Sequence, residues 1–155
     1  MSYAPQEYSN PASTPTSNVG YASWIQRVGA YLIDALVTVP FSVAAVVFGQ
    51  ETDPVTKVPS YSTIYWVLSA VGIALWGFNR WYLAGKTGQS WGRKVLGIRL
   101  VGEATGQPIG AGMAFVRDLA HIVDSVICLI GYLFPLWDAK KQTIADKLVK
   151  TLVVR

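Results

Sequence analysis

Residues Trp24–Phe48 read WIQRVGAYLIDALVTVPFSVAAVVF, with only two charged side chains, Arg27 and Asp34. A helix needs roughly 20 apolar residues to cross a bilayer core, and this run is long enough. Two further apolar stretches follow, at about Ile64–Leu83 and about Met113–Trp137. Three such runs in 155 residues predict an all-α membrane protein with about three transmembrane segments. Composition agrees. Hydrophobic residues make up 52% and charged residues 14%, with mean hydropathy +0.34, whereas a soluble domain carries about 25% charge. That deficit excludes a disordered or nucleic-acid-wrapping chain despite the pI near 9.3. With one cysteine, Cys128, and one histidine, His121, an internal disulfide framework and a Cys- or His-rich metal centre are excluded.

Met1–Gly20 lacks Lys and Arg and is dominated by Ser, Pro, Thr, Asn, Tyr and Gln. It reads as a disordered cytoplasmic tail, and no cleavage site of signal-peptide type follows. Residues 21–155 form one membrane domain, with Tyr21, Trp24, Tyr61, Trp66, Trp81, Tyr82 and Trp137 marking interfaces. The stretch Gly85–Gly112 holds Lys86, Arg93, Lys94 and Arg99, while Gly49–Ser60 holds only Lys57. The excess places Gly85–Gly112, and with it the N-terminus, on the cytoplasmic side of the plasma membrane. Lys140, Lys141, Lys147, Lys150 and Arg155 follow the third segment. A full third crossing would put them outside, against the rule. Gly131 and Pro135 interrupt that segment, so a broken or re-entrant form with a cytoplasmic C-terminus is expected. Val95–Val101 and Thr151–Arg155 are rich in β-branched residues and read as strands. A lone strand leaves backbone groups unpaired, so the two are expected to pair as a small cytoplasmic β element.

The charges inside apolar stretches repeat. Arg27-x-x-Ala30-x-x-Ile33-Asp34 matches Arg117-x-x-Ala120-x-x-Val123-Asp124. Residues seven apart share a helix face about 10.5 Å apart along the axis. A carboxylate at that depth must be paired, bind a cation, face water or stay protonated. If the two helices pack side by side, Asp34 and Asp124 share a level, which gives a cation or proton pathway. The competing reading is a structural network in which each Asp accepts from neighbouring helices. His121 lies three residues from both Asp118 and Asp124 and is either a proton relay or a hydrogen-bonded residue. Asp118 reads as an interfacial charge, and Asn79 and Arg80 as interface anchors. Gly85-Lys86-Thr87 lacks the glycine and strand of a phosphate loop. Arg93 and Lys94 suit lipid headgroups. Thr143 and Asp146 have capping-box spacing.

Taken in order, these blocks resemble the RDD family of small multi-pass bacterial membrane proteins. The matching residues are Arg27, Ala30, Ile33 and Asp34, then Gly88-x-Ser90-x-Gly92-Arg93-Lys94-x-Leu96-Gly97-Ile98-Arg99, then Gln142-Thr143-Ile144-x-Asp146-Lys147. The resemblance covers about Trp24 to Arg155 and makes Arg27, Asp34 and Asp146 the family-motif positions. Lys140-Lys141 departs from the Arg often found there. The resemblance implies a multi-pass plasma-membrane protein, and transport, including cation/proton exchange, has been proposed for some members. Two functions are expected in competition. One is an oligomer contributing to transport of a small solute or cation, with Asp34 and Asp124 as binding groups, Arg27 and Arg117 as balancing charges, and His121 beside them. The other is a non-catalytic accessory or scaffold subunit that packs against a larger membrane complex or binds lipid headgroups. Neither needs a cofactor, a metal or nucleic acid, and no nucleophile–base pair suggests an enzyme.

Overall fold

The computed structural model describes residues 20–127 and 129–155. The expected N-terminal tail, Gly20 apart, lies outside the described residues, as does Cys128.

Helix α1 spans Trp24–Gly49. It opens on a capping box in which Ser23 Oγ accepts from Gln26 N at 3.3 Å and Gln26 Oε1 accepts from Ser23 N at 3.0 Å. Its buried positions are Ala30, Asp34, Thr38, Ala45 and Gly49, a stripe of small and polar residues that lets other helices approach closely. The opposite face is apolar and open, with Leu36 74% and Phe48 69% exposed. The loop expected after α1 is a hairpin. Strands β1 (Gln50–Thr52) and β2 (Pro59–Tyr61) pair antiparallel. Asp53 Oδ1 closes the turn by accepting from Val55 N at 2.8 Å and Thr56 N at 2.7 Å.

Helix α2 (Thr63–Gly77) returns along α1. It runs on through a π-helical turn, Phe78–Leu83, into α3 (Ala84–Thr87). Such turns concentrate at functional positions, and this one carries Asn79 and Arg80. Helix α4 (Trp91–Val95) then leads to β3 (Arg99–Gly102). Helix α5 spans Gly110–Val126, followed by α6 (Ile130–Leu133) and a 3-10 turn at Phe134–Leu136. The axes on either side of this break differ by 108°. The expected interruption is present, but it falls before Gly131 and Pro135. Gly131 acts differently. A Cβ there would lie 2.1 Å from Asp124 Oδ1, so the absence of a side chain lets the chain fold back against α5. By length and composition α1 is long and apolar enough to cross a membrane, and the bent pair qualifies if counted as one span.

Helix α7 (Ile144–Leu148) and β4 (Thr151–Val154) complete the chain. β3 and β4 pair antiparallel from Arg99↔Val154 to Gly102↔Thr151, which realises the expected β element in shorter form. Val95 belongs to α4 instead, and Gly97 turns the chain at φ 65° before the strand. Ala22, Ala30, Ile98, Leu100 and Val153 form a compact apolar core at this sheet end of the molecule.

A second repeat becomes visible here. Gln89–Val101 (QSWGRKVLGIRLV) aligns position by position with Gln142–Val154 (QTIADKLVKTLVV). Ser90 and Thr143 each cap a five-residue helix. Gly97 and Lys150 each have positive φ. Gln89 Nε2 donates to Ile98 O at 3.2 Å, and Gln142 Nε2 to the aligned Thr151 O at 2.9 Å. With the Arg-to-Asp pattern on α1 and α5, the fold reads as two related halves joined through antiparallel strands.

Candidate functional site

The charged residues converge at the sheet end. Asp34, on the inward stripe of α1, is buried. It accepts from Asn79 Nδ2 at 2.8 Å, Ser90 Oγ at 2.6 Å and Gly92 N at 2.8 Å. Asn79 in turn accepts from Trp91 N at 2.8 Å, so the π-helical turn holds the start of α4 through one amide. Gly92 fits because nothing larger would: a Cβ would sit 1.9 Å from Ala30 O.

The other half repeats the device. Asp124 accepts from Ala145 N at 3.2 Å, and His121 Nδ1 lies 2.6 Å from its other oxygen. Ala145 is the residue that aligns with Gly92. The Tyr132 ring stacks on His121 at 5.3 Å, and its hydroxyl donates to His121 O at 3.3 Å. Each Asp of the Arg-to-Asp repeat therefore anchors the first turn of a short helix. Among the described residues Asp34 and Asp124 have no hydrogen-bond partner in common; each is held by its own set of donors.

Both arginines of the repeat meet on Asp146, which is 0% exposed. Arg27 Nη1 lies 2.6 Å from Oδ2, while Arg117 Nε and Nη2 lie 2.8 and 2.7 Å from Oδ1. Thr151 Oγ1 donates at 3.1 Å and Thr143 N at 3.2 Å. The capping box expected from Thr143 and Asp146 is present as well. Burial pushes the Asp146 carboxyl up, but the Arg117 and Arg27 cations outweigh it and hold it well below the usual carboxylate range. A fourth cluster joins Arg80 and Asp118 by two bonds, at 2.9 and 2.7 Å, with Trp81 Nε1 at 3.1 Å. Asn79 and Arg80 are thus interior network members, not interface anchors, and Asp118 is an ion-pair partner.

A cavity of about 560 Å³ lies among these clusters, lined by Arg27, Arg80, Arg93 and Arg117 beside Asp34 and Asp118. Arg93, expected at a lipid surface, is 9% exposed, while its neighbour Lys94 is exposed. Among the described residues its Nη1 has no hydrogen-bond partner, and neither have Nε and Nη2 of Arg27. Burial, reinforced by repulsion from Arg117 and Arg80, lowers the Arg93 guanidinium to about 9, which still leaves it charged at neutral pH. The sequence reading singles out Arg27, Asp34, Arg117, His121 and Asp124 as a charge network and Asp146 as a capping residue; the structure brings Arg27 and Arg117 together on Asp146. That reading misses Asn79, Ser90 and the Arg80–Asp118 pair. The alignment of 89–101 with 142–154 is the available signal for Ser90, since Thr143 already has the spacing of a cap.

The family model described as "RDD family" matches residues 21–150. The chain belongs to the RDD family. Members are typically membrane-associated. A proline-rich antigen homolog of Mycobacterium tuberculosis is 40% identical over 86% of this chain and 63% of its own length. The proline-rich antigen of Mycobacterium leprae is 38% identical over 92% of this chain and 64% of its own length. The chain therefore spans less than two thirds of these curated relatives, whose names specify no activity. No solved structure matches it. Of the three family-motif residues, Arg27 and Asp146 form an ion pair, and Asp34 anchors α4 separately.

Proposed function

We propose that this RDD-family chain is a multi-pass inner-membrane protein that acts as a non-catalytic accessory or scaffold subunit, within a homo-oligomer or a larger membrane complex. The observation that carries this reading is the inverted distribution of side chains. Leu36, Val47, Phe48 and Ile73 are open to the surroundings, whereas Asp34, Asp124 and Asp146 are buried. In water such a surface would be a large unmasked apolar patch, and in lipid it is the expected exterior. α1, the helical run from α2 through α3, and the bent α5–α6 pair supply the three membrane segments. The termini then share the cytoplasmic side with the sheet.

The carboxylates favour the scaffold reading over transport. Asp34 accepts three hydrogen bonds and Asp146 is shared by two guanidinium groups. Such groups hold helices together and leave few lone pairs for a travelling cation. Purification in mild detergent is expected to bring down a stoichiometric partner or a defined oligomer. Asp34→Asn is expected to lower abundance and assembly together. A cation or pH-gradient flux in reconstituted vesicles, lost in a folded Asp34→Asn protein, would overturn this reading.

A further inference from the structure

Among the described residues, three buried arginine donor atoms have no acceptor. Arg117 spends its Nε/Nη2 edge on Asp146 Oδ1. Arg27 reaches Asp146 through Nη1 only, which leaves its own Nε/Nη2 edge without a partner among the described residues. That flat edge is the one that grips an oxyanion with two parallel hydrogen bonds. Arg93 adds an unpartnered Nη1 on a side chain more than nine-tenths buried. Both residues line the same cavity. Asp34 and Asp118 also line it, but their oxygens are already used by Asn79, Ser90, Gly92, Arg80 and Trp81.

The relation between the halves sharpens the point. Asp146 supplies the anion that holds Arg27 and Arg117, and its aligned residue in the other half is Arg93. At that position the chain provides a third cation where its counterpart provides a carboxylate. A buried guanidinium donor without a hydrogen-bond partner is costly, and the adjoining cavity has room for an acceptor from outside. We infer that the cavity is an anion site in which Arg27 and Arg93 bind the phosphate group of a phosphate-bearing organic molecule, either a free phosphate ester or a phospholipid headgroup. About 560 Å³ exceeds what a bare ion needs and lies in the range of small-molecule sites. Trp24, Ile98 and Val153 give the cavity apolar wall for an attached organic group.

The test uses the full chain in detergent and in nanodiscs of phosphatidylcholine with or without phosphatidylglycerol. Inorganic phosphate is titrated by calorimetry and thermal shift, and phosphatidylglycerol retained after release from nanodiscs is counted by native mass spectrometry. Binding in the first arm identifies a soluble phosphate ligand, and retention in the second a lipid headgroup. Arg93→Gln is expected to weaken whichever occurs by roughly tenfold or more, the worth of a lost charge-assisted bond. Lys94→Gln, on the exposed neighbour, is expected to leave it unchanged. Arg93 has no partner atom to abandon at Nη1, so Arg93→Gln is also expected to raise the midpoint of unfolding in anion-free buffer. Arg27→Gln is a weaker probe, because it also breaks the Asp146 pair. The inference is overturned if folded protein binds neither probe, if Arg93→Gln binds as wild type does, or if Arg93→Gln is destabilised without any anion.

Discussion

Asp146 shows how much one carboxylate can carry at the residue scale. It pairs with two arginines from different helices, caps α7 and receives the hydroxyl of Thr151. Removing one partner of a buried ion pair typically costs about 3–5 kcal/mol. Asp146→Ala is therefore expected to cost at least that much, read as loss of folded protein in thermal unfolding in detergent. Arg27→Met with Arg117→Met is expected to recover part of the loss in the Asp146→Ala background, since neither guanidinium is then left without its carboxylate. The pH dependence has a definite sign. The folded carboxyl titrates below its unfolded value, so its stabilisation is complete above about pH 4 and is lost as pH falls further. An acid titration of wild type against Asp146→Asn is expected to show a transition in wild type that is blunted in the variant.

At the scale of elements, two short helices are docked by the same device, an Asp on a long helix accepting a backbone N–H from a first turn. Gly92→Ala would place a Cβ 1.9 Å from Ala30 O and is expected to prevent α4 from docking. Gly97→Ala meets nothing within 4 Å and must only adopt φ 65°, at a cost of about 1 kcal/mol. Expression level and unfolding midpoint of the two variants are expected to separate clearly. The long elements are legible in the sequence because apolar runs and caps are local signals. The strand pairing is legible because both strands need a partner on the same side. Two things are not. The π-helical turn leaves no periodic mark, so Asn79 and Arg80 look like ordinary helix-end residues. The meeting of Arg27 with Asp146 joins residues 119 apart, and nothing in either local pattern names the other. A paired depth for Asp34 and Asp124 follows from spacing alone, which says nothing about the backbone amides that claim them.

For the molecule as a whole, the long helices turn apolar side chains such as Leu36, Ile73 and Val126 outward and keep Asp34, Arg117 and Asp124 inside. Reporter fusions test the arrangement that follows. A fusion in the hairpin turn near Asp53 is expected to give an external signal, and one after Arg155 a cytoplasmic signal. An external signal from both would restore a full third crossing. The ion pair between the two ends of this fold also imposes a timetable. Arg27 leaves the ribosome 119 residues before Asp146, and at about 5–20 residues per second that gap is on the order of ten seconds. On the proposed topology the first helix reaches the membrane before Arg27 has this partner, so insertion and final locking are separate events. On that topology, a nascent chain stalled before Asp146 is an intermediate with its latch still open.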